Sequence, residues 1–217
     1  MSKILIIANG DVNTALLSRI YRRYSRIICA DGGTRFALDL QITPDLVVGD
    51  LDSLEERYRD ILLGGGYNLD LHPVDKDASD LELALVRAVE SKPSSIDILG
   101  GWGSRWDHSL MNLHLLARFT APGTQVSMLD SGNSARAALP GMEVSLKGRP
   151  GDLISLIPLS PRVSGVRTGG LTYPLEGRDL LFGSSLPVSN RLVGQKGWVR
   201  VEEGILLVLH HFETFSA

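Results

Sequence analysis

Three acidic segments hold the side chains best suited to chemistry: Gly49-Asp50-Leu51-Asp52-Ser53, Asp75-Lys76-Asp77-Ala78-Ser79-Asp80 and Gly100-Gly101-Trp102-Gly103-Ser104-Arg105-Trp106-Asp107-His108. Carboxylates crowded into short runs repel one another and are tolerated where something positive is bound. A hard divalent ion such as Mg2+ takes oxygen ligands, keeps several waters and bridges one or two carboxylates to substrate phosphates. These runs therefore point to phosphoryl chemistry.

Each segment also has a plainer reading. Asp50 and Asp52 follow the apolar run Leu46-Val47-Val48-Gly49, and alternate residues on extended backbone face the same way, so both carboxylates can reach one ion. The competing reading makes Asp52 or Ser53 the cap of a helix starting near Leu54, which needs only one of them. In the second segment Ser79-Asp80-Leu81-Glu82 fits a capping box, with Ser79 as cap, Glu82 reaching back and Asp80 suited to the positive helix start. Asp77 is left without a structural reason. The third segment is a glycine-rich turn from strand to helix, whose N–H groups and helix dipole can hold an anion. It lacks the Gly-Lys-Ser/Thr of a Walker loop and the spaced glycines of a dinucleotide fingerprint. Arg105 offers bidentate contacts to phosphate, Asp107 suits a helix start, and His108 shares a helix face with Asn112. Further on, Tyr173 can stack on a flat ring and Asn190 can hydrogen-bond one, against a reading of both as packing. No Gly-x-Ser-x-Gly elbow suggests hydrolase chemistry. The residues alone describe a Mg2+-dependent enzyme acting on a phosphorylated substrate.

The elements that must position these groups follow from periodicity. Strands are expected at Ile4 to Ala8, Arg26 to Ala30, Leu46 to Gly49, Asn68 to Val74, Ile96 to Gly100 and Gln125 to Leu129, with helices at Thr14 to Tyr24, Thr34 to Leu40, Leu54 to Leu63, Asp80 to Ser91 and Trp106 to Phe119. This alternation yields a mainly parallel sheet with helices on its faces. Several strands end in acid or glycine: Asp31 with Gly32-Gly33, Asp50, Asp75, Gly100-Gly101 and Asp130. Ligands of open α/β sheets bind outside the carboxyl ends of the strands, so the acidic runs are expected to converge. After Pro140 helical periodicity gives way to short alternating segments at Glu143 to Lys147, Leu153 to Pro158, Val163 to Arg167, Trp198 to Val201 and Ile205 to His210. The expected fold is thus an α/β N-terminal domain over 1–135 followed by an all-β, sandwich-like C-terminal domain over 136–217, with the boundary between Asn133 and Gly141.

Composition narrows the function classes. The chain has 217 residues and a formal charge of -3, and no long basic run, which argues against a nucleic-acid partner; Arg19 to Arg26 reads as the outer face of a helix. Cys29 is the sole cysteine, excluding an internal disulfide or a cysteine-based zinc site, and its apolar neighbours predict a buried thiol in a reducing compartment. Ile4 to Ala8 is too short for a signal segment and no stretch suits a bilayer, so a cytoplasmic protein with no membrane partner is expected.

The ordered series Ala30-Asp31-Gly32-Gly33, Pro44 to Ser53, Asp75 to Asp80 and Gly100 to His108 resembles the thiamine pyrophosphokinase family. The likeness continues through Ser155 to Leu159, Gly170 to Leu175 and Val188-Ser189-Asn190, covering nearly the whole chain. Ser79 stands where threonine is common and Ser104 replaces a frequent glycine. The resemblance implies transfer of the diphosphoryl group of ATP to the hydroxyethyl oxygen of thiamine, giving thiamine diphosphate and AMP. It implies Mg2+ held by Asp50, Asp52 and Asp80, an ATP side built from Asp31, Gly32, Gly33, Asp77, Ser79, Gly101, Arg105 and His108, and Asp107 facing the reacting groups. It places thiamine against Tyr173, Ser189 and Asn190, with the first domain binding ATP and Mg2+ and the second binding thiamine. A homodimer is implied, with each active site formed by the α/β domain of one subunit and the β domain of its partner. Two rivals are a diphosphokinase for a pterin-type alcohol, whose mark would be changes near Tyr173 and Ser189-Asn190, and a non-catalytic thiamine diphosphate or nucleotide sensor, which has no need of three metal carboxylates.

Overall fold

A computed structural model describes residues 2–212. Internal contacts divide the chain into one unit of residues up to 115 together with 123–130, and a second of 116–122 with residues from 131 onward.

The first unit is an α/β domain. Strands β1 (Lys3–Ile7), β2 (Arg26–Ala30), β3 (Leu46–Gly49), β4 (Leu69–Leu71), β5 (Ser95–Leu99) and β6 (Gln125–Leu129) pair in parallel in the order β4-β3-β2-β1-β5-β6. Strands covered on both faces must be apolar throughout, and Ile4, Leu5, Ile6 and Ile7 of β1 are all buried. The connections carry α1 (Thr14–Ile20), α2 (Thr34–Asp39), α3 (Glu56–Gly64), α4 (Asp80–Val89) and α5 (Trp106–Phe119). Asn13 caps α1 by accepting from the Leu16 N–H at 2.9 Å, and Ser79 caps α4 by accepting from the Glu82 N–H at 3.2 Å. Helix α4 buries Leu81, Ala84, Leu85 and Ala88, the three- and four-residue stripe of an amphipathic helix. Strand order runs outward from β1 to β4 and then restarts at β5 on the other side of β1, which puts the topological switch at the carboxyl ends of β1 and β5.

Several expected bounds shift. The first helix ends at Ile20 and tightens into a 3-10 turn over Tyr21–Arg23. The strand expected from Asn68 to Val74 stops at Leu71, because Pro73 has no N–H to continue the ladder. Helix α3 starts at Glu56, with Glu55 at the cap position, so neither Asp52 nor Ser53 caps it. Cys29 is fully buried, and burial pushes its thiol up to about 12. None of the helices among the described residues is long and apolar enough to cross a membrane.

The second unit is a β-sandwich. Strands β7 (Asn133–Ala138), β9 (Leu153–Pro158), β12 (Asn190–Arg191) and β14 (Leu206–His211) pair antiparallel in the order β12-β9-β14-β7. The facing sheet joins β8 (Glu143–Lys147), β10 (Arg162–Gly169), β11 (Glu176–Leu181) and β13 (Lys196–Arg200) in the order β11-β10-β13-β8. Their inward residues, including Val144, Leu146, Ile154, Leu156, Val163, Val199, Leu206 and Val208, form one core. Strands β7, β11 and β12 were not expected. Asn133-Ser-Ala-Arg-Ala-Ala has no β-branched residue, and its extended form comes from pairing with β14 along its whole length.

His210 of β14 gives this core a pH dependence. It is 1% exposed, with Nε2 3.1 Å from Asp152 Oδ2. An ionised carboxylate only accepts, so Nε2 carries the hydrogen, and Nδ1 is buried without a partner. Burial holds the imidazole below its ordinary 6.5, outweighing the upward pull of Asp152. The folded state therefore favours the neutral ring. This contribution is present above the unfolded value and is lost as pH falls through it, because the unfolded chain takes the proton first. The urea midpoint is expected to drop between about pH 7.5 and pH 5, and His210→Gln should flatten that slope. An unchanged slope in the variant would contradict this role for His210.

Candidate active site

The loops after β1 and β5 are stitched together by main-chain bonds. The Ala8, Gly10 and Asp11 N–H groups donate to the carbonyls of Leu99, Gly100 and Trp102 at 2.8, 2.9 and 2.6 Å. A side chain at Gly10 has no space, since its Cβ would lie 1.9 Å from the Trp102 carbonyl oxygen and 2.4 Å from that of Gly100. Beside this seam opens a cavity of about 730 Å³. All three acidic segments contribute to its wall, as the strand-end rule predicts.

Asp31, Asp50 and Asp52 each present an oxygen, and these atoms lie within 4.8 Å of one another. Asp31 leaves β2 at φ 44° and Leu51 bridges the other two at φ 62°, both left-handed conformations that bulky residues avoid. Asp31 is 5% exposed. Its Oδ2 accepts from the Ser53 hydroxyl, whose oxygen accepts from Asn9 Nδ2 at 3.0 Å. Its Oδ1 is buried with no partner. Burial raises the Asp31 carboxyl above the usual carboxylate range, with the Asp80 and Asp50 charges adding to it, against the lowering hydrogen bonds from Ser53 and the Gly32 N–H. Burial also pushes Asp50 up, but the Lys76 ammonium and the Asp52 N–H more than offset it and hold Asp50 low. Asp52, sharing a hydrogen bond with Asp50 and repelled by it, is held high. An all-oxygen group of this kind, with one buried oxygen otherwise unpartnered, suits a hard divalent cation.

The grouping seen here differs from the set that the family resemblance implies. Asp31, expected on the nucleotide side, lies with Asp50 and Asp52. Asp80, expected as the third ligand, stands beyond Lys76, whose Nζ lies 2.5 Å from Asp50 Oδ2 and 3.0 Å from Asp80 Oδ1.

The other expected residues divide. Ser79, Gly101, Arg105 and His108 line the cavity. Gly32 and Gly33 do not; they pack under it, where a Cβ on Gly32 would lie 2.4 Å from Ser53 Oγ and one on Gly33 would lie 2.2 Å from the Ile7 carbonyl oxygen. Asp77 is exposed and outside the wall. Asp107 also lies outside it: its carboxylate is turned to Arg105, 2.6 Å from Nη2, and that guanidinium holds it below the usual range. Asn112 donates to the Gly101 carbonyl at 2.8 Å and so fixes the glycine-rich turn. Asn9, Asp11, Arg35 and Lys76 join the wall without having been singled out, and so does Ser53, weighed only as a helix cap. Asn9 and Asp11 follow β1, so the rule applied to the other strand ends would have found them.

In the sandwich, Tyr173 is 70% exposed. Asn190 is buried, and its amide is spent on backbone: Oδ1 accepts from the Tyr173 and Arg191 N–H groups at 3.1 and 2.8 Å, and Nδ2 donates to the Tyr173 carbonyl at 2.7 Å. Asn190 thus fixes the backbone of Tyr173. Ser189 is held at φ 63°, with its N–H donating to Ser155 Oγ at 3.0 Å.

Residues 17–128 match the family described as "Thiamin pyrophosphokinase, catalytic domain", and residues 142–206 match "Thiamin pyrophosphokinase, vitamin B1 binding domain". The chain belongs to the thiamine pyrophosphokinase family. A thiamine pyrophosphokinase of Bacillus subtilis is 32% identical over 210 residues, which is 96% of this chain and 98% of that protein. The crystal structure of the Bacillus subtilis thiamine pyrophosphokinase superimposes with a TM-score of 0.85 at 29% identity, covering 98% of this chain and 100% of the other. That of the Geobacillus thermodenitrificans thiamin pyrophosphokinase gives 0.83 at 28%, covering 97% and 98%. The thiamine pyrophosphokinase catalytic match contains all three acidic segments, and the vitamin B1 binding match contains Tyr173, Ser189 and Asn190.

Proposed function

We propose that this protein is an ATP-dependent thiamine diphosphokinase, and that the observation carrying the reading is the gathering of Asp31, Asp50 and Asp52 in one cavity within the thiamine pyrophosphokinase catalytic match of a chain that also carries the vitamin B1 binding match. The thiamine hydroxyl oxygen bonds to the β-phosphorus of ATP. The bond from that phosphorus to the α,β-bridging oxygen breaks, AMP leaves with the electron pair, and the hydroxyl proton passes to a base. Such a displacement asks for alignment and charge stabilisation more than covalent help.

Asp31, Asp50 and Asp52 would hold Mg2+, with Asp80 joined to them through Lys76. When bound, the ion offsets phosphate charge and templates the triphosphate. Arg105, His108 and the N–H groups of the glycine-rich turn suit the phosphates, and Arg35 brings a further cation from the first turn of α2. The α/β domain is the ATP and Mg2+ side and the sandwich the thiamine side, where Tyr173 presents its ring from a backbone clamped by Asn190. The family resemblance adds a cytoplasmic homodimer. Sedimentation should then give twice the 23.6 kDa chain mass, and an active monomer would contradict the dimer.

Tyr173→Ala is expected to weaken thiamine binding by about 0.5–1.5 kcal/mol beyond the lost contact area, leaving nucleotide affinity unchanged. Calorimetry with each ligand separately checks this; equal losses on both would remove Tyr173 from a thiamine-specific role. The function itself is tested by incubating the protein with ATP, Mg2+ and either thiamine or a hydroxymethylpterin. Turnover should depend on thiamine. Pterin-dependent turnover favours the related diphosphokinase, and ligand binding without turnover favours a sensor.

A further inference from the structure

Lys76 belongs to neither of the roles assigned above, yet it makes the closest charged contacts in the cavity. It lies between β4 and α4, four residues before Asp80, and its side chain is 13% exposed. Its ammonium joins two carboxylates from different segments, Asp50 Oδ2 at 2.5 Å and Asp80 Oδ1 at 3.0 Å. Asp50 is also one of the three residues whose oxygens converge for a cation, and its Oδ1 already accepts from the Asp52 N–H at 3.2 Å. A divalent ion taking Asp50 would sit close to Nζ in a partly enclosed space, where like charges repel more strongly than in bulk water. Lysine is a compact point charge on a flexible four-carbon stem. Nothing in its chemistry ties it to these carboxylates once a better anion is near.

We propose that Lys76 is a charge-exchange residue: it competes with the divalent cation for Asp50 in the nucleotide-free site and transfers its ammonium to the triphosphate as the site loads. This rests on the metal and ATP reading of the same cavity. With five aspartates in the cavity wall and one ammonium among them, an arriving cation and nucleotide relieve both partners of the exchange, since the cation takes Asp50 and the phosphates take Nζ. A lysine serving only to tie the β3 exit to α4 would show no such coupling.

The test is Mn2+ binding to nucleotide-free protein by electron paramagnetic resonance, comparing wild type with Lys76→Met, Lys76→Gln, Lys76→Arg and Arg105→Met. Both neutral replacements of Lys76 should bind Mn2+ about tenfold tighter, because a competing charge is gone, and should need about tenfold more ATP to reach half-saturation at saturating metal. Lys76→Arg should stay near wild type in Mn2+ affinity. Arg105→Met, whose guanidinium is paired with Asp107, should leave Mn2+ affinity unchanged. Having two neutral variants guards against one that fails to fold. Unchanged or weaker Mn2+ binding in folded Lys76→Met or Lys76→Gln overturns the exchange while leaving the metal site standing. A tightening of equal size in Arg105→Met also overturns it, by reducing it to general charge. No Mn2+ binding by wild type overturns the metal reading and this proposal together.

Discussion

Asp52→Asn should lower kcat by about 10²–10³-fold, the range seen when a group aimed at developing charge is lost, with almost no change in melting temperature. Asp52 is exposed and contributes no apolar packing. Its carboxylate is held high by Asp50, a sign of like charges kept together. Replacing it with a neutral amide of the same size relieves that repulsion in the free protein and removes one of three oxygen charges when a cation is present. Stability and activity should therefore separate. The measurement is kcat at limiting and saturating Mg2+ beside a melting curve. Near-normal turnover at limiting Mg2+ would take Asp52 out of the ligand set.

Gly10→Ala should damage both. The added carbon would lie 1.9 and 2.4 Å from two carbonyl oxygens of the loop after β5, and backbone cannot turn aside as a side chain can. Overpacking of this kind costs about 1–3 kcal/mol, occasionally more, or roughly 2–12 °C in melting temperature for a chain of this size. Activity should fall further, because the seam sets the spacing between Asn9, Asp11 and the glycine-rich turn, and a shift of about 1 Å can cost 10²-fold. Gly64→Ala, at the end of α3 with nothing within 4 Å of the new carbon, is the control and should behave as wild type. Wild-type melting and turnover in Gly10→Ala would show that the seam can open without cost.

The parallel sheet was legible because its strands are buried on both faces and so read as continuous apolar runs, as in Ile4 to Ile7 and Leu46 to Gly49. Helix α5 matched its expected bounds, and the Ser79 cap was plain from its own residues. The strands that escaped notice owe their extended form to their neighbours: β7 to β14, and β12 to β9. At the site, the convergence of the acidic runs followed from strand ends, but the grouping of Asp31 with Asp50 and Asp52 did not. Asp31 and Asp80 both lie near Asp50, and Lys76 is seated between Asp50 and Asp80. No local pattern announces a contact between residues 26 positions apart. The orientation of Asp107 rests instead on a local contact, since Arg105 two residues away claims its carboxylate, and residue type alone does not say whether that pair closes on itself or faces the cavity. The bonds from the Asn190 amide to the backbone of Tyr173, 17 positions away, were likewise not legible from its residue type.

Which phosphorus of ATP is attacked separates diphosphoryl transfer from ordinary kinase chemistry, and product analysis reads it directly. With ATP, Mg2+ and thiamine all present, chromatography of the reaction should show AMP and thiamine diphosphate forming in equal amounts, and neither should form when thiamine is left out. Equal amounts of ADP and thiamine monophosphate would mean attack at the γ-phosphorus and would contradict the assignment.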